Sequence, residues 1–260
     1  EISKYFDRKH SAVIYTTDEL GSSARKALDQ LAYKNGLLFL SHQNFKRDAP
    51  VKDIIKLLST IKKTGAKLIF VAMPKPDTRR VFEAAAQIGF MGPDVQYIAY
   101  EPLVWSENKT MNKGANGYLT YEAKPEPTKH YLHYLHAYKQ RYHKKPEPFA
   151  VLAFDSVFLV AHSILEAKKA LGFDVKISLL LPYLHSVKFQ GASGVISYLP
   201  NSNDREFISP MDIVNMQGVC AKTGKVRLVK VGGINMQGNL TLDNSMILRS
   251  GTTVKIYNDC

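Results

Sequence analysis

Cysteine is scarce in this chain: Cys220 and Cys260 are the two present in 260 residues. That excludes a disulfide-dense mini-scaffold and any CxxC zinc or redox arrangement, leaving room for at most one bridge. Long hydrophobic runs are also lacking. A bilayer-crossing helix needs roughly 18 or more consecutive apolar residues, whereas Val151 to Phe154 and Leu179 to Leu181 are core-sized, so no transmembrane span is expected within the chain. The opening Glu1-Ile2-Ser3-Lys4-Tyr5-Phe6 has no initiator Met and no charged stretch leading into an apolar one. It is therefore not an intact secretory leader, and residues ahead of it are expected. Catalytic signatures are absent too: no G-x-S-x-G, H-E-x-x-H, Walker loop or dinucleotide-binding glycine fingerprint occurs, and Val231-Gly232-Gly233 reads as a turn. The expectation is a non-enzyme with no catalytic residues, no metal and no cofactor.

What is present fits a folded protein, since 45% hydrophobic and 22% charged residues are ordinary proportions for a globular chain. The formal net charge of +12 raises the question of a polyanionic partner. Counterion release needs clustered cations, yet the basic pairs Lys62-Lys63, Arg79-Arg80, Lys144-Lys145 and Lys168-Lys169 are dispersed, so a solvated surface is expected and nucleic acid is not. Two sequons, Asn108-Lys109-Thr110 and Asn239-Leu240-Thr241, are compatible with a secretory compartment.

Along the chain, Ser11 to Thr16 is a short β-branched apolar run. Ala24, Ala27, Leu28, Leu31 and Ala32 then recur at helical spacing up to Asn35-Gly36. Strands are predicted at Leu37 to Leu40, Lys67 to Ala72 and Val95 to Tyr100. Helices are predicted through Val51, Ile54, Ile55, Leu58 and Ile61 and from about Asp77 to Ile88. Repeated strand-loop-helix units imply a parallel sheet with right-handed crossovers, whose ligands bind beyond the carboxyl ends of the strands. Those ends are Thr16 to Gly21, Met73 to Asp77 and Tyr100 to Trp105. After a Gly-rich crossover, helices are predicted from about Thr128 to Tyr142 and from Phe149 to about Leu171, the second apolar enough to be buried on most sides. Short strands follow from Ser186 onward, with an antiparallel character.

The block Val187-Lys188-Phe189-Gln190-Gly191-Ala192-Ser193-Gly194-Val195-Ile196-Ser197-Tyr198 carries a resemblance together with Asn201 to Arg205 and Met211-Asp212-Ile213-Val214-Asn215. It is similar to the strand pair, turn and closing strand of the type I periplasmic-binding fold. Bacterial branched-chain amino-acid binding proteins share that fold with the ligand-binding ectodomains of natriuretic-peptide (ANF), class C and ionotropic glutamate receptors. Ala12 to Gly21 resembles the strand and loop that open the second lobe, Ala153-Phe154-Asp155-Ser156-Val157 its Tyr-Asp-Ala-Val helix, and Ile247 to Asp259 the closing segment of receptor ectodomains.

The resemblance implies an α/β, two-lobed type I periplasmic-binding-protein fold, a parallel sheet with flanking helices, and a first lobe that is incomplete here. Residues 1–120 would form the second-lobe α/β unit, 121–185 helices and a crossover belonging largely to the first lobe, and 186–260 the strands completing the second lobe and hinge. It further implies an extracellular or periplasmic receptor module that binds a small, amino-acid-like molecule between lobes and signals by closure, with homodimerisation left open. Two rivals are a structural or protein-interaction subunit that has lost its ligand and a soluble solute-binding protein of a transporter. Leu20 stands where amino-acid binders often carry Tyr.

Ligand-binding candidates are Thr17, Glu19, Lys75, Glu101 and Trp105. Glu101 falls where the resemblance places a carboxylate facing a ligand ammonium, and Trp105 could stack on a ligand or serve as a rim aromatic. Lys75 is held between two prolines, as a cleft cation or a surface lysine. Thr17 and Glu19 could contact ligand or cap the following helix. His130, His133 and His136 share a predicted helix, but Tyr131, Tyr134 and Tyr138 interleave them, so an aromatic packing face is expected instead of a metal site. Asp155 is expected to accept buried backbone donors.

Overall fold

A computed structural model describes residues 6, 10–92, 94–100, 116–124, 127–146, 149–172, 175–200, 205–206, 210–222, 226–247 and 256–257. The chain divides into two compact units: Glu1–Glu122 with Ile213–Gly232 and Leu242–Cys260, and Ala123–Asp212 with Gly233–Thr241.

The first unit alternates as the hydrophobic pattern requires: β1 (His10–Thr16), α1 (Glu19–Asn35), β2 (Leu38–Phe45), α2 (Val51–Lys63), β3 (Leu68–Ala72), α3 (Lys75–Gln87) and β4 (Gln96–Ala99). β1 pairs in parallel with β2 on one side and β3 on the other, β3 with β4, and β4 with β5 (Leu119–Ala123). Ala12, Val13 and Ile14 are fully buried, as expected of a strand covered on both faces. Ile54, Leu58 and Ile61 of α2 recur on one helix face and are also fully buried. With Val81, Phe82, Ala84 and Ala85 of α3 they cover Ala12, Ile14, Ile69, Val71 and Tyr97 of the sheet. On α1, Ala32 is buried but Ala27 and Leu31 stay exposed, so its apolar stripe is narrower than the spacing predicts.

Strand order among the described residues is β10-β9-β8-β5-β4-β3-β1-β2, with β11 beside β8. The later strands are β8 (Met211–Cys220), β9 (Val226–Ile234), β10 (Leu240–Leu242) and β11 (Ile256–Tyr257). β11 runs parallel to β8, a departure from the antiparallel finish expected there. Asn215, fully buried on β8, donates through its amide to the carbonyls of Gly117 (3.0 Å) and Tyr118 (3.2 Å), which fixes the entry to β5. Cys220 is disulfide-bonded; the other cysteine of the sequence, Cys260, lies outside the described residues.

In the second unit, Thr128 caps α4 (Lys129–Tyr142) by accepting from the Tyr131 N–H at 3.2 Å. α5 (Ala150–Leu171), α6 (Leu181–Ser186) and the antiparallel pair β6 (Phe189–Gly191) and β7 (Gly194–Ile196) follow. α4 packs through tyrosine: Tyr134 is buried against Phe154, with ring centroids 4.9 Å apart, while His130, His133 and His136 are exposed.

Two expectations about α5 need correction. Its apolar residues are not buried on most sides: Val157 is 68% and Leu165 55% exposed. What lies buried is the stripe Val151, Asp155, Ser163 and Ala167. They lie four or eight apart along one side of the helix, and Asp155, Ser163 and Ala167 are small or polar enough to admit close approach. Nor is the chain without a segment of spanning length and apolarity, because α5 is long and apolar enough to cross a membrane by length and composition. Asp155 nonetheless ties the helix to the β6–β7 turn, a polar attachment suited to a helix packed on protein.

That turn explains a glycine. Asp155 Oδ1 accepts from the Ala192 N–H (2.8 Å), and Oδ2 from the Ser193 N–H and hydroxyl (2.6 Å each). A Cβ on Gly191 would lie 2.6 Å from Oδ2, and one on Gly21 would lie 2.1 Å from the Thr16 carbonyl oxygen. We therefore expect Gly191→Ala and Gly21→Ala each to lower unfolding free energy by roughly 1–3 kcal/mol through overpacking, measured by urea denaturation. Unchanged midpoints would show that these close approaches relax without cost.

Candidate functional site

In the first unit the segments after β1, β2 and β3 leave the same edge of the parallel sheet, and each opens a helix. β1 is hydrogen-bonded to both neighbours, with Thr16 opposite Phe45 and Tyr15 opposite Ala72. The three segments are therefore adjacent, and the amino ends of α1, α2 and α3, the positive ends of their dipoles, meet there.

Charged side chains lock the segments together. Asp18, the cap of α1, accepts through Oδ1 from the Gly21 N–H and the Thr16 hydroxyl, both at 2.9 Å. The Gly21 hydrogen bond is the main reason that its carboxyl sits below the ordinary value of 3.8; partial burial opposes this, while the Thr16 hydroxyl and Arg47 guanidinium assist. Asp77, in the first turn of α3, is 1% exposed. Its Oδ1 accepts from the Asp48 N–H at 3.3 Å and from the Arg80 guanidinium. Arg47 Nε lies 3.6 Å from Asp77 Oδ2 and 3.7 Å from Asp18 Oδ2, and Arg80 Nη2 also reaches Asp48 at 3.1 Å. Asp48 has a left-handed backbone (φ 63), a conformation that Asp tolerates better than most residues. Arg47 remains 54% exposed, so a guanidinium oriented by two carboxylates is presented to solvent at this edge.

Of the residues singled out from sequence, Thr17 and Glu19 follow β1 and are exposed. The Thr17 N–H donates to the Phe45 carbonyl at 3.0 Å, and the capping role falls to Asp18 between them. Lys75 begins α3 at the same edge and is half-buried. The strand order thus brings Thr17, Glu19 and Lys75 to one edge. Glu101 and Trp105 lie outside the described residues. Sequence reasoning missed Asp18, Arg47, Asp77 and Arg80. An Asp three residues before Gly21 is a cap signal that was legible, whereas Arg47 and Asp77 are 30 positions apart and meet only through the fold.

Concavities also adjoin other surfaces. Ala24, Leu28, Phe70, Ile98, Tyr100 and Leu119 line a groove of about 200 Å³ that is almost wholly apolar and offers nothing to hold ligand charge. In the second unit His130, His133, Phe154, Phe158, His162 and Phe189 line an open depression of about 510 Å³.

A mostly parallel α/β layer with its helix-opening segments gathered at one edge, followed by paired helices and a strand-rich finish, defines a ligand-binding module of the receptor and periplasmic-binding type. The chain matches the ANF receptor family model, the receptor family ligand binding region, over residues 1–219, and it belongs to that family. Such regions are typically extracellular or periplasmic. No curated protein matches the chain.

The cap supplies a pH test. Because Asp18 titrates lower folded than unfolded, its contribution is present above 3.8 and is lost as pH falls through the depressed folded value. Asp18→Ala should cost about 1 kcal/mol near neutral pH, while Asp18→Asn should keep most of the cap and flatten the acid limb of the curve. Melting temperatures across the acid range read both effects; an Asp18→Asn limb as steep as wild type would refute this assignment.

Proposed function

We propose that this chain is the ligand-recognising part of a receptor, non-catalytic and facing the outside of the cell. Its ligand is a small amino-acid-like molecule held at the edge where β1, β2 and β3 end, and closure of the two-lobed module around it is the signal. The observation that carries this reading is Arg47, half exposed and oriented by Asp18 and Asp77. A guanidinium so placed suits a ligand carboxylate, which it can meet in bidentate fashion. Thr17, Glu19 and Lys75 at the same edge add a hydroxyl, an acid and a base for the remaining polar groups. Ligand contacts made only in the closed form would shift the population toward it. Family membership supports a ligand-binding module, and the absence of catalytic motifs favours binding over turnover.

A second reading, a protein-interaction subunit that has lost its small ligand, draws on one observation. Val157, Phe158, Val160 and Leu165 of α5 form an exposed apolar surface of the kind that partners cover.

Calorimetric titration of the protein with a panel of amino acids and small anions separates the two. Saturable heat is expected for at least one amino-acid-like compound. Arg47→Ala should weaken it roughly tenfold to a hundredfold, the worth of a charge-assisted hydrogen bond, while Arg47→Lys should weaken it less and keep the edge folded. Flat traces across the panel, or affinity indifferent to Arg47, would favour the interaction subunit.

A further inference from the structure

We propose that Asn239 is a site of N-linked glycosylation. The inference rests on the extracellular reading above and goes beyond it by assigning a covalent modification to a named side chain.

Asn239-Leu240-Thr241 lies where β9 turns back into β10. Asn235 builds that turn: its Oδ1 accepts from the N–H groups of Gln237 (3.1 Å) and Asn239 (2.9 Å), and its own N–H donates to the Asn239 carbonyl at 3.1 Å. Gly238 supplies the left-handed residue (φ 80) that the reversal needs. With Asn235 holding the turn, the Asn239 side chain is left over. It is exposed and makes no hydrogen bond among the described residues.

Asn235, Gln237 and Gly238 around it are exposed as well, so a bulky substituent on Asn239 would extend into solvent without displacing a packed group. Thr241 supplies the hydroxyl that the acceptor motif requires two residues on. In the folded hairpin that hydroxyl donates to the Gly233 carbonyl at 3.3 Å, so transfer belongs to the extended chain before the turn closes.

The co-reactant is a polyprenol-diphosphate-linked oligosaccharide supplied with its transferase. The Asn239 amide nitrogen forms a bond to the anomeric carbon of the first sugar while that carbon's bond to the diphosphate oxygen breaks. The nitrogen loses one proton to base, and the polyprenol diphosphate departs with the bonding pair. No redox change occurs.

The test is peptide mapping by mass spectrometry of the protein from cells that make it. Samples are compared before and after treatment with peptide-N-glycosidase in heavy-oxygen water, alongside labelling with a membrane-impermeant reagent. A heavy-oxygen Asp at position 239 after treatment is expected, with loss of the glycosylated band in Asn239→Gln and Thr241→Ala and its retention in Thr241→Ser. Protein that is labelled from outside yet carries an unmodified Asn239 overturns the site and leaves the receptor reading standing. Protein that is neither labelled nor modified overturns both.

Discussion

The buried carboxylate of Asp77 is the constraint on which the sheet edge depends. A charge held at 1% exposure is tolerated only with partners, and these come from two places in the chain: the guanidinium of Arg80 one turn on, and the segment after β2, which supplies the backbone of Asp48 and the side chain of Arg47. Removing the Arg80 guanidinium would leave the buried Asp77 carboxylate short of its nearest counter-charge, which is costly even though Arg47 and Arg80 themselves keep contact with solvent. The arrangement therefore fixes the helix-opening segments relative to one another more firmly than their short lengths alone would. Through Arg47 the same constraint reaches Asp18 and the start of α1.

The second unit uses the same device on other elements. Asp155 projects from a helix interior and satisfies two backbone N–H groups and a hydroxyl at the β6–β7 turn, while Arg205 reaches the Ser193 hydroxyl at 3.2 Å and the Val195 carbonyl at 2.7 Å. Burial lowers the Arg205 pKa and the Asp155 charge counters that shift, so each ion makes the burial of the other more tolerable. In both units an aspartate on a helix organises a turn that hydrophobic burial alone would leave loose. Each unit also has a close approach that leaves no room for a Cβ, at Gly191 against Asp155 and at Gly21 against Thr16.

Much of this was legible in the sequence, for physical reasons that also mark where legibility stops. Ile54, Leu58 and Ile61 announce α2 because one face is apolar and the other charged, and Ala12 to Ile14 announce a central strand because both its faces are covered. α5 misled because bulky apolar residues occur all around it. The face that packs carries small or polar side chains, Asp155, Ser163 and Ala167, which a hydrophobic pattern does not single out against the larger apolar residues around them. β11 was legible only as a closing segment, since its partner β8 lies far back in the sequence and no local pattern encodes parallel pairing across that distance. At the candidate site, position relative to strand ends located Thr17, Glu19 and Lys75, but the ion pairs of Arg47 depend on β2 lying beside β1.

The charge arrangement at that edge also bears on selectivity. Arg47 faces carboxylates at 3.6 and 3.7 Å, separations of ion pairing without close hydrogen bonds. Its donors are thus oriented yet not consumed, and an incoming carboxylate can take them without first breaking a short contact. Asp18 beside Arg47 is partly exposed, so the ammonium of a zwitterion would find a carboxylate there that a bare anion could not use. On the receptor reading proposed above, orientation without saturation would favour an amino-acid-like zwitterion over a simple anion, because its carboxylate would answer the guanidinium while its ammonium answered a neighbouring carboxylate.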